Sequence, residues 1–462
     1  MSFWKNLSLA IFLAATAVNG QAAGAAGPEP IGWKVGVAKT DITPAEPMRM
    51  AGFGFRTHPS EGVRDQLYTR ALALQDESGK IAVISTLDLA GISREIAEVI
   101  ADRCKNQYGL ERDRLEINVS HTHSGPATRL TPEPARNPNP NAAQQEEAEA
   151  VRRYTGPMID KVVTTIGAAI HNLKPATLEF GQGMAGIAVN RRRSPTFRGV
   201  PGGPVDSDVP VLAARDADGK LVAIVVGYAC HATSLTDYMI SNDFPGYALH
   251  ELDDAHPGVI SFFIQGCAGD SNAFPRLDEK LARIYGDVLA AAVEEVLRGK
   301  MIPLNGPLAT TLEYVDLPYH NVPTREELQR QLQDDNAIVH RHAQHVLTIL
   351  DRDGKLPSSY SNPVQVWQFG HGLKFIALGG EPVADIGLRL KRQYGFDSTW
   401  VAGYSNDVMA YIPSLRVLKE GGYEGGEAAF GSGQLAPWGA TVEEIVIEKV
   451  NDVVLETERK IP

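Results

Sequence analysis

Cysteine is scarce in this chain, with three residues in 462: Cys104, Cys230 and Cys267. Three is odd, so at most one internal bridge can form, and a disulfide-stapled scaffold is excluded. Cys230 and Cys267 lie in apolar runs, where the expected role is a small buried hydrophobe. Positive charge is also short. Lys and Arg number 44 against 56 Asp and Glu, a formal net charge of -12. Without a basic run there is no electrostatic footprint for a phosphate backbone, so nucleic acid is excluded as a partner. No long internal repeat recurs, which excludes solenoid arrays. After the N-terminal segment no apolar run is long enough for a transmembrane anchor.

That N-terminal segment is itself distinctive. Lys5 precedes the apolar run Leu7–Val18, and small residues follow through Ala25. A charged start, a short apolar stretch and a small-residue zone are the pattern of a secretory signal peptide. Residues 1–25 are therefore expected to be a signal peptide and 26–462 one large domain, secreted or periplasmic. The 44 glycines and 29 prolines predict many loops. Two long ones are expected at Ala127–Ala150 and Pro195–Asp206.

Apolar, β-rich runs alternate with helical patterns. The runs are Ile81–Asp88, Leu115–His123, Leu221–His231, Ile260–Asp270, Lys374–Glu381 and Ser398–Asp407. Helical periodicity appears at Arg94–Tyr108, Pro157–Leu173, Glu279–Arg298 and Ala384–Tyr394. The alternation predicts an α/β fold, a mixed β-sheet core flanked by helices. Leu72–Ile84 and Leu212–Ile224 share Asp, Gly and Lys at matching offsets, which reads as two hairpins of one design. A charged helical insertion is expected at about 324–355, and a short strand at Glu444–Val450.

In open α/β sheets ligands bind beyond the carboxyl ends of the strands. Here those ends carry Asp88, His121, His123, His231, Asp270, Glu381, Tyr404 and Asn406. Two histidines and a carboxylate from separate strands suit an open Zn²⁺ site, and cysteine is not required. If the strand ran through His121 and His123, both would face one side, one for the metal and one for acid–base work. Hydrogen-bonded structural histidines are the alternative. His340, His342 and His345 are expected on a solvated helix face.

The segment INVSHTHSGP (Ile117–Pro126) resembles the corresponding segment of the neutral/alkaline ceramidases. VGVAKTDITP, AGFGFR, NRRRSP, YACHATS, FFIQGCAGD, LGGEPVA, GYSNDVMAYIPS and GGYEGG are similar to further family segments, in the same order. The resemblance implies one zinc per chain, held by His121, His231, Glu381 and Tyr411. It places His123 beside a metal-activated water, and Arg191 and Tyr423 against the scissile amide. Tyr404 is the competing local tyrosine, with a buried aromatic as its other role. Arg192 and Arg193 are expected to be surface or structural.

Two departures bear on the chemistry. Asn272 stands where the family's ceramidases carry a serine, which favours metal-activated water over a serine nucleophile. Asp270 is expected to orient a ligand histidine or to cap the following segment. The family's C-terminal immunoglobulin-like domain is expected to be absent after Tyr423. The implied substrate is therefore an N-acyl compound, either a ceramide-like lipid or something smaller. An esterase or lactonase, and a non-catalytic periplasmic binding protein retaining the metal site, are the alternatives.

Overall fold

The computed structural model describes residues 32–130, 141–192 and 203–462. The expected signal peptide, Arg193 and most of the Pro195–Asp206 loop lie outside the described residues.

Three times the chain builds the same unit: an antiparallel hairpin, a helix, then a strand parallel to the hairpin's second strand. The first is Tyr68–Gln75 and Ile81–Leu87, helix Arg94–Tyr108 and strand Leu115–Val119. The second is Asp208–Asp216 and Leu221–Tyr228, helix Asp243–Ala255 and strand Ile260–Gln265. The third is Ser359–Phe369 and Leu373–Leu378, helix Ala384–Tyr394 and strand Thr399–Ala402. A parallel pair needs a crossover, and the helix supplies it. In the first two hairpins an aspartate makes the turn. Asp76 Oδ1 accepts from the backbone N of Ser78 at 3.0 Å, and Asp216 Oδ1 from that of Asp218 at 3.0 Å.

The first two units join through Trp33–Asp41 and Lys174–Met184 into one mixed sheet, nine-stranded among the described residues. The third belongs to a four-stranded sheet with Leu308–Pro318. The sheets pack face to face through Phe180, Phe262, Trp367 and Trp400. Each such burial contributes about 1.5–3 kcal/mol. Helices cover the outer faces, which is the α/β architecture the alternation predicts. Asn118 stitches the units where their strands end: its Nδ2 donates to Gly403 O at 2.8 Å and its Oδ1 accepts from Gln265 N at 2.8 Å. The carboxyl ends of all three units thus converge on one place.

Three local expectations are corrected. Glu444–Val450 is no strand but part of helix Val442–Glu458, whose apolar side (Val446, Val450, Val453) covers the smaller sheet. Of the expected loop Ala127–Ala150, residues 131–140 lie outside the described residues and 142–150 are helical. Asn141 and Gln144 form a capping box that starts helix Ala142–His171 well before Pro157. His342 and His345 are buried rather than solvated, because helix Ala337–Asp353 packs inward and His342 Nε2 meets Gln434 O at 2.7 Å. Cys104, Cys230 and Cys267 are free and buried. Among the described residues no helix is long and apolar enough to cross a membrane.

Candidate active site

Each strand stops before its functional residue. Leu115–Val119 ends ahead of His121, Leu221–Tyr228 ahead of His231, and Leu373–Leu378 ahead of Glu381. The strand pleat therefore does not set the directions of His121 and His123. His121 instead adopts a left-handed backbone, φ 57°, which costs a non-glycine residue energy and recurs at functional sites. The turn brings His123 Nε2 to 3.1 Å from His121 Nε2. His123 is fixed from behind: its backbone N donates to Ala232 O at 3.1 Å, and its carbonyl accepts from Arg56 Nη1 at 2.5 Å.

His121 Nδ1 faces Ala90 O at 2.5 Å, and His231 Nδ1 faces Ala268 O at 2.7 Å. A carbonyl only accepts, so each Nδ1 carries a proton and Nε2 is the nitrogen each ring turns inward. Both Nε2 atoms lie 3.2 Å from the same oxygen, Glu381 Oε2. Burial and then the Arg191 charge push His231 down to about 4. Burial raises Glu381, but His121 and His231, when protonated, outweigh it and hold the carboxyl well below its usual range. At neutral pH an imidazole lone pair therefore faces a carboxylate in a buried place, an arrangement that repels itself without a cation. The ligating atoms of His121, His123 and His231 lie within 4.8 Å of one another. This donor set, imidazole nitrogens with a carboxylate and both Nδ1 atoms anchored, fits a zinc-type ion.

Two tyrosines border the cluster. Tyr411 Oη lies 3.4 Å from His231 Nε2. Tyr404 Oη lies 3.5 Å from Glu381 Oε2, and Tyr404 also has a left-handed backbone, φ 53°. Burial and then Glu381 push both phenols well above 10. Burial, with His121 and His231, likewise pushes His123 well below its ordinary value, so it is neutral.

Arg191 reaches the cluster from the strand Ala188–Asn190. Its Nη2 donates to Tyr411 Oη at 3.2 Å and to Gly269 O at 2.8 Å, and its Nη1 to Asn272 Oδ1 at 3.1 Å. Asn272 thus holds the guanidinium. Asp270 touches no histidine. Its carboxylate accepts from Ala384 N at 2.9 Å and Asn190 Nδ2 at 2.7 Å, tying the start of helix Ala384–Tyr394 to the Arg191 strand. Tyr423 is 56% exposed, with its ring 5.5 Å from that of Tyr411. Asp88 stands apart as the partner of buried Arg70 at 2.8 Å.

Sequence reasoning passed over Glu424, Arg56 and the carbonyls of Ala90 and Ala268. Glu424 stood beside Tyr423 in GGYEGG and was the one that could have been found. Carbonyl partners leave no mark in a sequence.

The family described as neutral/alkaline non-lysosomal ceramidase, N-terminal, matches residues 33–273, just over half of the chain. The neutral ceramidase of Pseudomonas aeruginosa is 27% identical over 264 residues, covering 54% of this chain and only 38% of that protein. That of Mycobacterium tuberculosis is 24% identical over 499 aligned positions, 89% of this chain and 76% of that protein. The crystal structure of the Pseudomonas aeruginosa neutral ceramidase superposes with TM-score 0.71 at 20% identity, over 94% of this chain and 76% of that one. A ceramidase complexed with C2 gives 0.70 at 19%, over 93% and 76%. At these identities the superpositions speak for the fold. The match over residues 33–273 carries the assignment: the chain belongs to the neutral/alkaline non-lysosomal ceramidase family.

Proposed function

We propose that this protein is a secreted or periplasmic zinc amidohydrolase that cleaves the amide bond of an N-acyl substrate of the ceramide class. The observation that carries the reading is the pair of anchored imidazoles, His121 and His231, turned onto one oxygen of Glu381. His121, His231 and Glu381 would hold the ion, with Tyr411 completing the set. A bound zinc ion would supply Lewis acidity, lowering the pKa of a water toward about 7 and polarising the amide carbonyl.

The remaining work falls to the chain's own residues. His123 is neutral and buried, with Nε2 facing the cluster. It accepts a proton there as the nucleophile adds and returns it to the departing amine. Arg191 has five N–H groups; four are taken by Glu424, Asn272, Gly269 and Tyr411 among the described residues. The fifth, on Nη1, is left for the carbonyl oxygen, and its fixed partners pre-orient it at no cost during reaction. Tyr423, largely exposed beside Tyr411, offers its hydroxyl to the same oxygen. Asn272 offers no nucleophile and serves by holding Arg191.

The test is fatty-acid release from ceramide and from N-acyl amino acids by the metal-loaded protein. Release that stops on chelation and returns with Zn²⁺ is expected. A zinc-loaded protein that releases no fatty acid from any of them contradicts the reading.

A further inference from the structure

Tyr423 and Arg191 approach the site from segments 232 positions apart, and one buried carboxylate joins them. Glu424 is 6% exposed, although its neighbour Tyr423 is 56% exposed. Glu424 Oε1 accepts from Arg191 Nε at 2.7 Å, and its Oε2 from Arg192 Nη1 at 2.5 Å. Arg192 in turn donates through Nη2 to Gly421 O at 2.7 Å and to Val417 O at 3.3 Å. The segment so gripped is framed by glycines in conformations that side chains rarely adopt: Gly421 at φ 68°, Gly422 at φ 73° and Gly426 at φ 155°. Glycine frees the backbone on both sides of Tyr423–Glu424. The side-chain clasp adds to the helical turn Tyr423–Glu427 in fixing the segment.

We infer that Glu424 is a positioning residue: its carboxylate, shared between Arg191 and Arg192, sets the Arg191 guanidinium and the Tyr423 hydroxyl in register with each other. The inference rests on the proposed amide hydrolysis for its kinetic consequence, but not for its structural one. Glu424 reaches the reacting atoms only through Arg191 and Tyr423. Without it, Arg191 keeps Asn272, Gly269 and Tyr411 yet loses the contact at Nε that fixes the plane of the guanidinium. Tyr423 loses the buried anchor next to it in the chain. Arg192, expected from sequence to be merely surface or structural, is the second half of the clasp.

The experiment uses the full chain with Glu424→Gln and Arg192→Gln, read in two ways. Turnover of a fluorescently labelled ceramide is expected to fall about 10- to 100-fold in kcat, the usual cost of removing an outer-shell partner, with KM changed far less. Amide hydrogen exchange, which needs no substrate, is expected to speed up in 417–428 and around Arg191 while the two sheets keep wild-type protection. If Glu424→Gln does not fold, Arg192→Gln decides by the same two readings. Wild-type kcat in a folded variant overturns the inference, as does exchange that rises evenly across the molecule. A wild-type protein that turns over no N-acyl amide refutes the proposed function instead, and the exchange result still decides the clasp.

Discussion

His231 Nε2 lies 3.2 Å from Glu381 Oε2, while the other nitrogen of the same ring is bonded to Ala268 O. With the proton committed to Nδ1, two acceptors face each other in a place His231 shares with no bulk water. Neither burial nor hydrogen bonding explains keeping such a pair. A cation does, and the rest of the site is arranged around the same point.

Gly52 presses against His123. Its φ is 90°, and a Cβ built on it would fall 2.4 Å from His123 Cγ. Gly52→Ala must therefore shift the imidazole or the loop. A misplacement near 1 Å can cost about 100-fold in rate. The expected outcome is a kcat loss of that order with near-normal zinc content, measured by steady-state kinetics and elemental analysis on one preparation.

Asp88 sits at a strand end like the site residues, yet it is bonded to Arg70 with both side chains almost wholly buried. Its role is structural. Asp88→Ala leaves an unpaired buried guanidinium and is expected to cost about 3–5 kcal/mol, read by urea denaturation. A variant of wild-type stability would contradict that role.

Glu116 offers a pH-dependent test away from the site. Burial raises its carboxyl from 4.5 to about 8, against a hydrogen bond from Ser405. Unfolded, the group ionises near 4.5; folded, it stays protonated until about 8. It therefore costs the folded protein increasing stability as pH climbs through that window, and nothing below it. Glu116→Gln removes the titration. Relative to wild type, the variant's Tm is expected to rise steadily from pH 5 to pH 8; a difference in Tm independent of pH would contradict this.

Much of this was legible in the sequence because the chain repeats one simple device. A hairpin, a helix and a parallel strand leave strong periodic signals, and the strand ends carry His121, His231 and Glu381 among eight candidates, from which the family resemblance singled them out. What was not legible lies beyond the strand ends. The left-handed turn at His121 replaces the pleat that the alternation implied, and no local pattern announces it. Asp270 read as a partner for a histidine or a cap for the segment that follows it, but three-dimensional neighbours gave it Ala384, at the start of a distant helix, and Asn190 instead. Glu444–Val450 read as a strand because its apolar residues are β-branched; tertiary packing against the smaller sheet overrides that propensity. Glu424 went unread because an acidic residue between glycines looks like a turn until Arg191 and Arg192 are seen to converge on it.

The central claim is that His121, His231 and Glu381 hold the ion on which hydrolysis depends. Zinc per chain, measured by elemental analysis of wild type and His231→Ala purified together, tests it most directly. The account predicts close to one zinc in the wild type and little in a folded, inactive His231→Ala. Full zinc occupancy in that variant, or none in an active wild type, would contradict it.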